Sequence, residues 1–128
     1  MNQEVLMPWF AASAIMFVKY KDGKQNGYPV WENVHLIEAT TPEEAEQKAI
    51  KRAKEDEGDS SGSFVWNDRP ATWMFAGIRK ILAVSHPDLN GTQFDGAEVT
   101  FSEFEVTTEA DLNALVNGED VRILYCAD

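Results

Sequence analysis

A chain of 128 residues, 44% hydrophobic and 26% charged, is long enough to bury one core and too apolar to be a disordered segment. Its 22 Asp and Glu against 11 Lys and Arg give a formal net charge of −11, a field that repels phosphate backbones and anionic bilayers and so argues against nucleic-acid or membrane binding. The single cysteine, Cys126, excludes an internal disulfide, and within its apolar run it is expected as a buried, inert thiol.

The apolar stretch over residues 5–18 fails as a secretory leader. It follows Glu4 rather than a cation, Pro8 interrupts it, and apolar residues run on past Ala12-Ser13-Ala14. It is also too short to span a bilayer, so a cytoplasmic location is expected. Residues 9–20 are apolar on one parity, Phe10, Ala12, Ala14, Met16, Val18 and Tyr20, and nearly so on the other, with Trp9, Ala11, Ile15 and Phe17. That is the pattern of a strand covered on both faces. Asp22-Gly23 and Asn26-Gly27 mark a turn region, and a second strand over about 30–39 completes a hairpin with a long tip.

Thr41-Pro42-Glu43-Glu44 combines a capping hydroxyl, a proline at the first helical position and an acid three residues after the cap. It predicts a helix to about residue 57, stopped by Gly58. The inner stripe is Ala45, Ala49, Ile50 and Ala53, small enough to let the helix axis approach a sheet closely. Glu44 with Lys48, and Lys51 with Glu55, stand at the spacing of surface pairs. Residues 59–63 read as a polar connector, since no Gly-x-Ser-x-Gly pattern or nearby His makes a nucleophile of their serines.

Residues 64–66 form a short strand before a turn over 67–70, and residues 72–85 a long one in which Gly77 predicts a bulge or a close backbone contact. A loop over 86–96 leads to a strand over 97–107. There Val99 and Phe101 share one face while Phe104 and Val106 fall out of phase, so a bulge near Ser102-Glu103 is expected to return all four to the core. Thr108 caps a short helix that buries Leu112, Leu115 and Val116 and ends at Gly118. A last strand covers 121–127. The order β-β-α-(β)-β-β-α-β predicts one α+β domain over residues 1–128. Its sheet is mostly antiparallel, with five to six strands, and its one long and one short helix lie to one side.

Trp9-Phe10-Ala11-Ala12 opening a strand, Trp31-Glu32 leading to Leu36-Ile37-Glu38-Ala39, the Pro42-Glu43-Glu44-Ala45 helix start and Trp73-x-Phe75-x-Gly77 resemble an uncharacterised family of small bacterial domains of unknown function. The resemblance spans about residues 9–106. Its motifs are structural, so it implies a fold and carries over no activity, cofactor or site residue.

Function must therefore be sought in chemistry. Residues 81–121 contain no Lys or Arg but nine carboxylates: Asp88, Asp95, Glu98, Glu103, Glu105, Glu109, Asp111, Glu119 and Asp120. Solubility is the simpler reading of such a run, and a basic protein partner is the functional one. The candidate partner-binding residues are Asp88, Asp95, Glu98, Glu103, Glu105 and Asp111. No metal or cofactor is expected. His35 and His86 lack further ligands at a useful spacing, and Asp88-x-Asn90-Gly91 with Asp95 lacks most of a calcium loop. His86-Pro87-Asp88 reads as a loop cap. Glu103 and Glu105 could act as paired carboxylates only if one were buried, and a solvated strand face is simpler.

Trp9 and Trp73 belong in a core, whereas Trp31 and Trp66 adjoin turns and, with His35, are candidate ligand contacts. The first expectation is a non-enzymatic acidic protein-binding module. Its concrete form is an immunity- or inhibitor-type neutraliser of a basic, nuclease-like toxin. The second is a small-ligand sensor using Trp31, Trp66 and His35. A small enzyme comes third, because no catalytic constellation is visible.

Overall fold

The doubly apolar run near the start of the chain becomes β1 (Trp9–Tyr20), a central strand in the computed structural model, which describes residues 8–84 and 94–126. It pairs antiparallel with β2 (Tyr28–Glu38) on one side and, on the other, with a long strand, Arg69–Ala83. That strand is β4, and the two-residue β3 (Val65–Trp66) pairs with it. On the β2 side follow β5 (Glu98–Val106) and the two-residue β6 (Leu124–Tyr125). The six-stranded order is β3-β4-β1-β2-β5-β6, antiparallel throughout. With helices α1 (Pro42–Glu55) and α2 (Glu109–Val116), the fold is α+β as the sequence predicts.

Side chains alternate across a strand, so β1 serves two cores. Phe10 and Ala12 pack with Ala45 and Ala49 of α1, and Ala14 and Met16 with Ala53. Ile15, on the other parity, packs with Leu112 and Leu115 of α2 and with Phe104 and Val106 of β5. The helices therefore cover opposite faces, rather than lying to one side as expected. Element order does not fix the side on which a connection crosses. The two-sided apolarity of β1 does, since each face needs a cover.

The ends of α1 follow its sequence signals. Thr41 Oγ1 accepts from Glu44 N–H at 3.1 Å, with Pro42 in the first turn. The Glu44 carboxylate reaches one residue further back than a capping box requires, accepting from the Thr40 hydroxyl and from Thr40 N–H at 3.2 Å. Those bonds, the hydroxyl's first, hold its carboxyl below the usual range. Lys48 forms its ion pair with Asp95 and not with Glu44, as described below. Past the helix, Gly58 joins the sheet by exchanging backbone bonds with Trp73.

Bulges bend the sheet. Along β4 the register jumps from Lys80 to Ile78 and from Gly77 to Phe75, leaving Arg79 and Ala76 as extra residues on either side of Gly77. A side chain at Gly77 would run into Val116 of α2, so the expected bulge and the expected close approach both occur there. On β5 the extra residue is Val99, not Ser102 or Glu103. The predicted repair of phase is absent. Phe104 and Val106 are buried, while Val99 and Phe101 remain 53% and 54% exposed. Phe101 faces the α1 side, but α1 packs on β1, β2 and β4 and does not extend over this part of β5.

Bulged strands coil more strongly. Trp66 of β3 meets Trp31 of β2 with ring centroids 5.1 Å apart, although β4 and β1 separate them in the strand order. The β3 edge is thus folded over the α1 face. Among the described residues no helix is long and apolar enough to cross a membrane.

Candidate functional site

The curl sets the two ends of the strand order against each other. Between them lies a cleft of about 330 Å³. Tyr20, Trp66, Asn67 and Arg69 form one wall, and Glu103, Glu105 and Cys126 the other. The first wall is shaped by a tight hairpin whose central residues, Asn67 and Asp68, both have positive φ (51° and 61°), the twist that suits a two-residue turn between strands. Asn67 Nδ2 donates to the Tyr20 hydroxyl at 3.1 Å. The Arg69 guanidinium lies 3.6 Å from the centre of the Tyr20 ring. Its Nη2 donates to both Asp22 carboxylate oxygens, at 2.7 and 2.8 Å, and to the Lys24 carbonyl at 2.8 Å. The Arg69 bond is the main reason the Asp22 carboxyl sits below its usual range. The positive charge on this wall is answered by Asp22, which lies outside the cleft lining.

Gln25 fastens the hairpin tip at the mouth of the cleft. Its Oε1 accepts from Tyr20 N–H at 3.0 Å, and its Nε2 donates to the carbonyls of Val18 and Gly27 at 3.1 and 2.9 Å. Gly27, with φ of 130°, leaves room for the Glu105 carboxylate, which a side chain there would strike.

On the opposite wall Glu103 stands across from Trp31 and Glu105 across from Pro29. They share a strand face about 7 Å apart. Among the described residues neither forms an ion pair within 4.0 Å. Cys126 closes this wall, its N–H donating to the Glu103 carbonyl at 3.1 Å. It is exposed, which corrects the expectation of a buried thiol. The reason is that β6 is a two-residue edge with nothing packed on its outside among the described residues.

The other residues singled out in the sequence are dispersed. Asp95 is neutralised, contrary to the reading of its stretch as lacking a cation. Its Oδ2 pairs with Lys48 Nζ at 2.6 Å, and its Oδ1 accepts from Glu38 N–H at 2.8 Å. Glu98 lies 3.7 Å from His35 Nε2. Asp111 sits in the first turn of α2, on the far face of the sheet from Glu103. Asp88 and His86 lie outside the described residues, as does the turn read as a weak calcium loop. Among the described candidates, only Glu98, Glu103 and Glu105 share one strand row.

Trp31 is half-buried between Trp66 and Trp73, 4.7 Å from the latter, and backs the cleft rather than lining it. His35 is buried at 5% exposure, four residues along β2 from Trp31 and so about 13 Å away. Burial pushes its pKa below 6.5, against the upward pull of Glu98 and Asp56, while Arg52 adds to the depression. It does not belong to the cleft. Among the described residues no three of His, Cys, Asp and Glu are grouped to hold a metal ion. Tyr20, Asn67 and Arg69 were not singled out from sequence, because nothing local places a turn after β3 against the far edge of the sheet.

Residues 9–101 match a family described as a domain of unknown function, DUF4288. The chain belongs to that family. The DUF4288 match begins with β1 and ends inside β5, so it contains the Tyr20, Trp66 and Arg69 wall and stops short of Glu103, Glu105 and Cys126. It agrees with the resemblance drawn from the strand aromatics and the helix cap. The residues beyond it complete the core, since Phe104, Val106, Leu112 and Leu115 fill the second face. No match is found among curated proteins or solved structures.

Proposed function

We propose that this protein is a non-enzymatic binding module for a basic protein segment, received at the β5–β6 end of the sheet. The observation that carries this reading is the pair Glu103 and Glu105, held on one wall of an aromatic cleft without an ion pair among the described residues. Glu98 extends their row, and the exposed Phe101 and Leu124 (54% and 66%) add apolar area beside it. Apolar contact with flanking opposite charge is the composition of a recognition surface, and its charge steers a basic partner. An immunity- or inhibitor-type protein neutralising a basic, nuclease-like toxin is the concrete form of this function.

The test uses defined basic peptides at low salt. Reversing Glu98, Glu103 and Glu105 to Lys should leave the circular dichroism spectrum unchanged, weaken binding sharply and flatten the salt dependence of what remains. Binding that ignores the reversal would return the charge to a purely solubilising role. A second reading, a small-ligand sensor, is favoured by the enclosure of Trp66 and Tyr20 in a cleft of about 330 Å³, near the lower end of ligand-pocket sizes. Saturable binding of small organic cations, with no binding of peptides, would put that reading first.

A further inference from the structure

One wall of the cleft already holds a completed arginine site that belongs to the protein itself. Arg69 rests 3.6 Å over the Tyr20 ring, and its Nη2 is shared by the Asp22 carboxylate and the Lys24 carbonyl. An aromatic face, a carboxylate and a main-chain carbonyl together hold one guanidinium. The first two of these groups recur across the cleft, an aromatic ring from the same wall and carboxylates from the wall opposite. Trp66 is fixed by its perpendicular contact with Trp31, at 5.1 Å and 88°, and Glu103 and Glu105 face the same space. Arg122 borders the adjoining hollow that shares Glu105, yet it makes no ion pair with it among the described residues.

We infer that the cleft is an arginine anchor, in which the basic partner inserts one arginine side chain between Trp66 and the Glu103–Glu105 pair. This rests on the basic-partner reading and narrows it to the residue type that makes the contact. Arginine is favoured over lysine on physical grounds. A guanidinium is planar and weakly hydrated, stacks on an indole, and offers paired donors to a carboxylate. An ammonium is a compact, strongly hydrated charge that gains less from the aromatic wall. A volume of about 330 Å³ accommodates a side chain and not a folded element. Exposed Phe101 and Leu124 lie beside it, where the rest of an extended segment would run.

The experiment titrates the full chain with oligoarginine and oligolysine peptides of equal length, and with N-acetyl-arginine amide, by calorimetry and Trp fluorescence. The arginine peptide should bind about tenfold tighter than the lysine peptide. The single arginine derivative should change the fluorescence saturably. Glu103→Gln with Glu105→Gln should erase the arginine preference, whereas Glu119→Gln, exposed past the end of α2 and outside the cleft, should preserve it. These half-exposed or exposed positions leave folding intact, which circular dichroism checks. Equal affinity for the two peptides, or a preference that survives Glu103→Gln with Glu105→Gln, overturns the anchor and leaves the basic-partner reading standing. Failure of both peptides to bind at low salt overturns that reading, and the anchor with it.

Discussion

Asp95 and Glu103 belong to the same cation-free stretch of sequence, and the fold treats them differently. Asp95 is drawn between α1 and the end of β2, where Lys48 and the Glu38 N–H occupy its two oxygens. Glu103 sits on the same side of the sheet, beside an aromatic cleft, with no such partner among the described residues. At the covered end of this face Ala45 and Ala49 let α1 settle onto Phe10, Ala12 and Ile37. At the other end Trp31, Trp66 and Trp73 fill the space, and β3 curls across without reaching β6. Charge counted along a chain is therefore not charge on a surface. The neutralising lysine came from 47 residues away.

The largest expected effect tests the covered end. Ala49 is 3% exposed beneath α1, so Ala49→Leu must force the helix off the sheet and should destabilise the fold by roughly 1–3 kcal/mol in urea unfolding. Phe101→Ser, at the uncovered end of the same face, should change stability by about 0.5 kcal/mol or less. Comparable losses from both would mean that the two ends are equally packed, and the contrast would fail.

Next come the two capping hydroxyls. Thr41→Ala removes the acceptor of Glu44 N–H at the start of α1 and should lower stability by about 1 kcal/mol. Thr108→Ala, which removes the same bond to Asp111 N–H on α2, should have a similar effect. A negligible change at Thr41 would mean that packing alone holds α1.

The carboxylates sharpen the comparison further. Asp95→Asn should lower stability by about 0.5–1.5 kcal/mol, since it removes a half-buried ion pair and weakens a hydrogen bond. It should leave peptide affinity nearly unchanged at moderate salt. Glu103→Gln should do the reverse, weakening the peptide and sparing the fold. If the two exchange roles, the structural and the binding carboxylates have been assigned the wrong way round.

The parts of the molecule that could be read from sequence are those with short-range causes. Thr41 and Thr108 caps, the two-sided apolarity of β1, and Gly77 beside a bulge all follow from a few neighbouring residues. The sides taken by the helices, the displacement of the β5 bulge to Val99, and the exposure of Cys126 depend on what covers each face, which no local pattern contains. The cleft is the extreme case. Trp66 and Glu103 line one cleft across a coiled sheet, β4 is bulged at Ala76 and Arg79, and bulges are settled by pairing across strands. Glu103 and Glu105 were named as candidates for their charge, while Tyr20 and Arg69 carried no signal beyond being ordinary strand and turn residues.

His35 stands between the two ends and gives the smallest and most discriminating effect. It is buried opposite Ala12, with Glu98 at 3.7 Å and with Arg52 and Asp56 of the α1 end nearby. Burial lowers its pKa below 6.5, even though Glu98 and Asp56 act to raise it. The unfolded chain therefore binds this proton more readily than the folded one. The contribution is neutral well above pH 6.5, turns unfavourable as the pH falls through 6.5, and levels off below the lowered folded pKa. Wild-type stability should accordingly drop more between about pH 7.5 and 5.5 than that of His35→Gln, and subtracting the two removes every other titrating group. The opposite difference, with wild type gaining on acidification, would mean that Glu98 outweighs burial and holds an imidazolium. The row of Glu98, Glu103 and Glu105 would then carry one uncompensated charge fewer, and the receiving surface would shrink to the cleft itself.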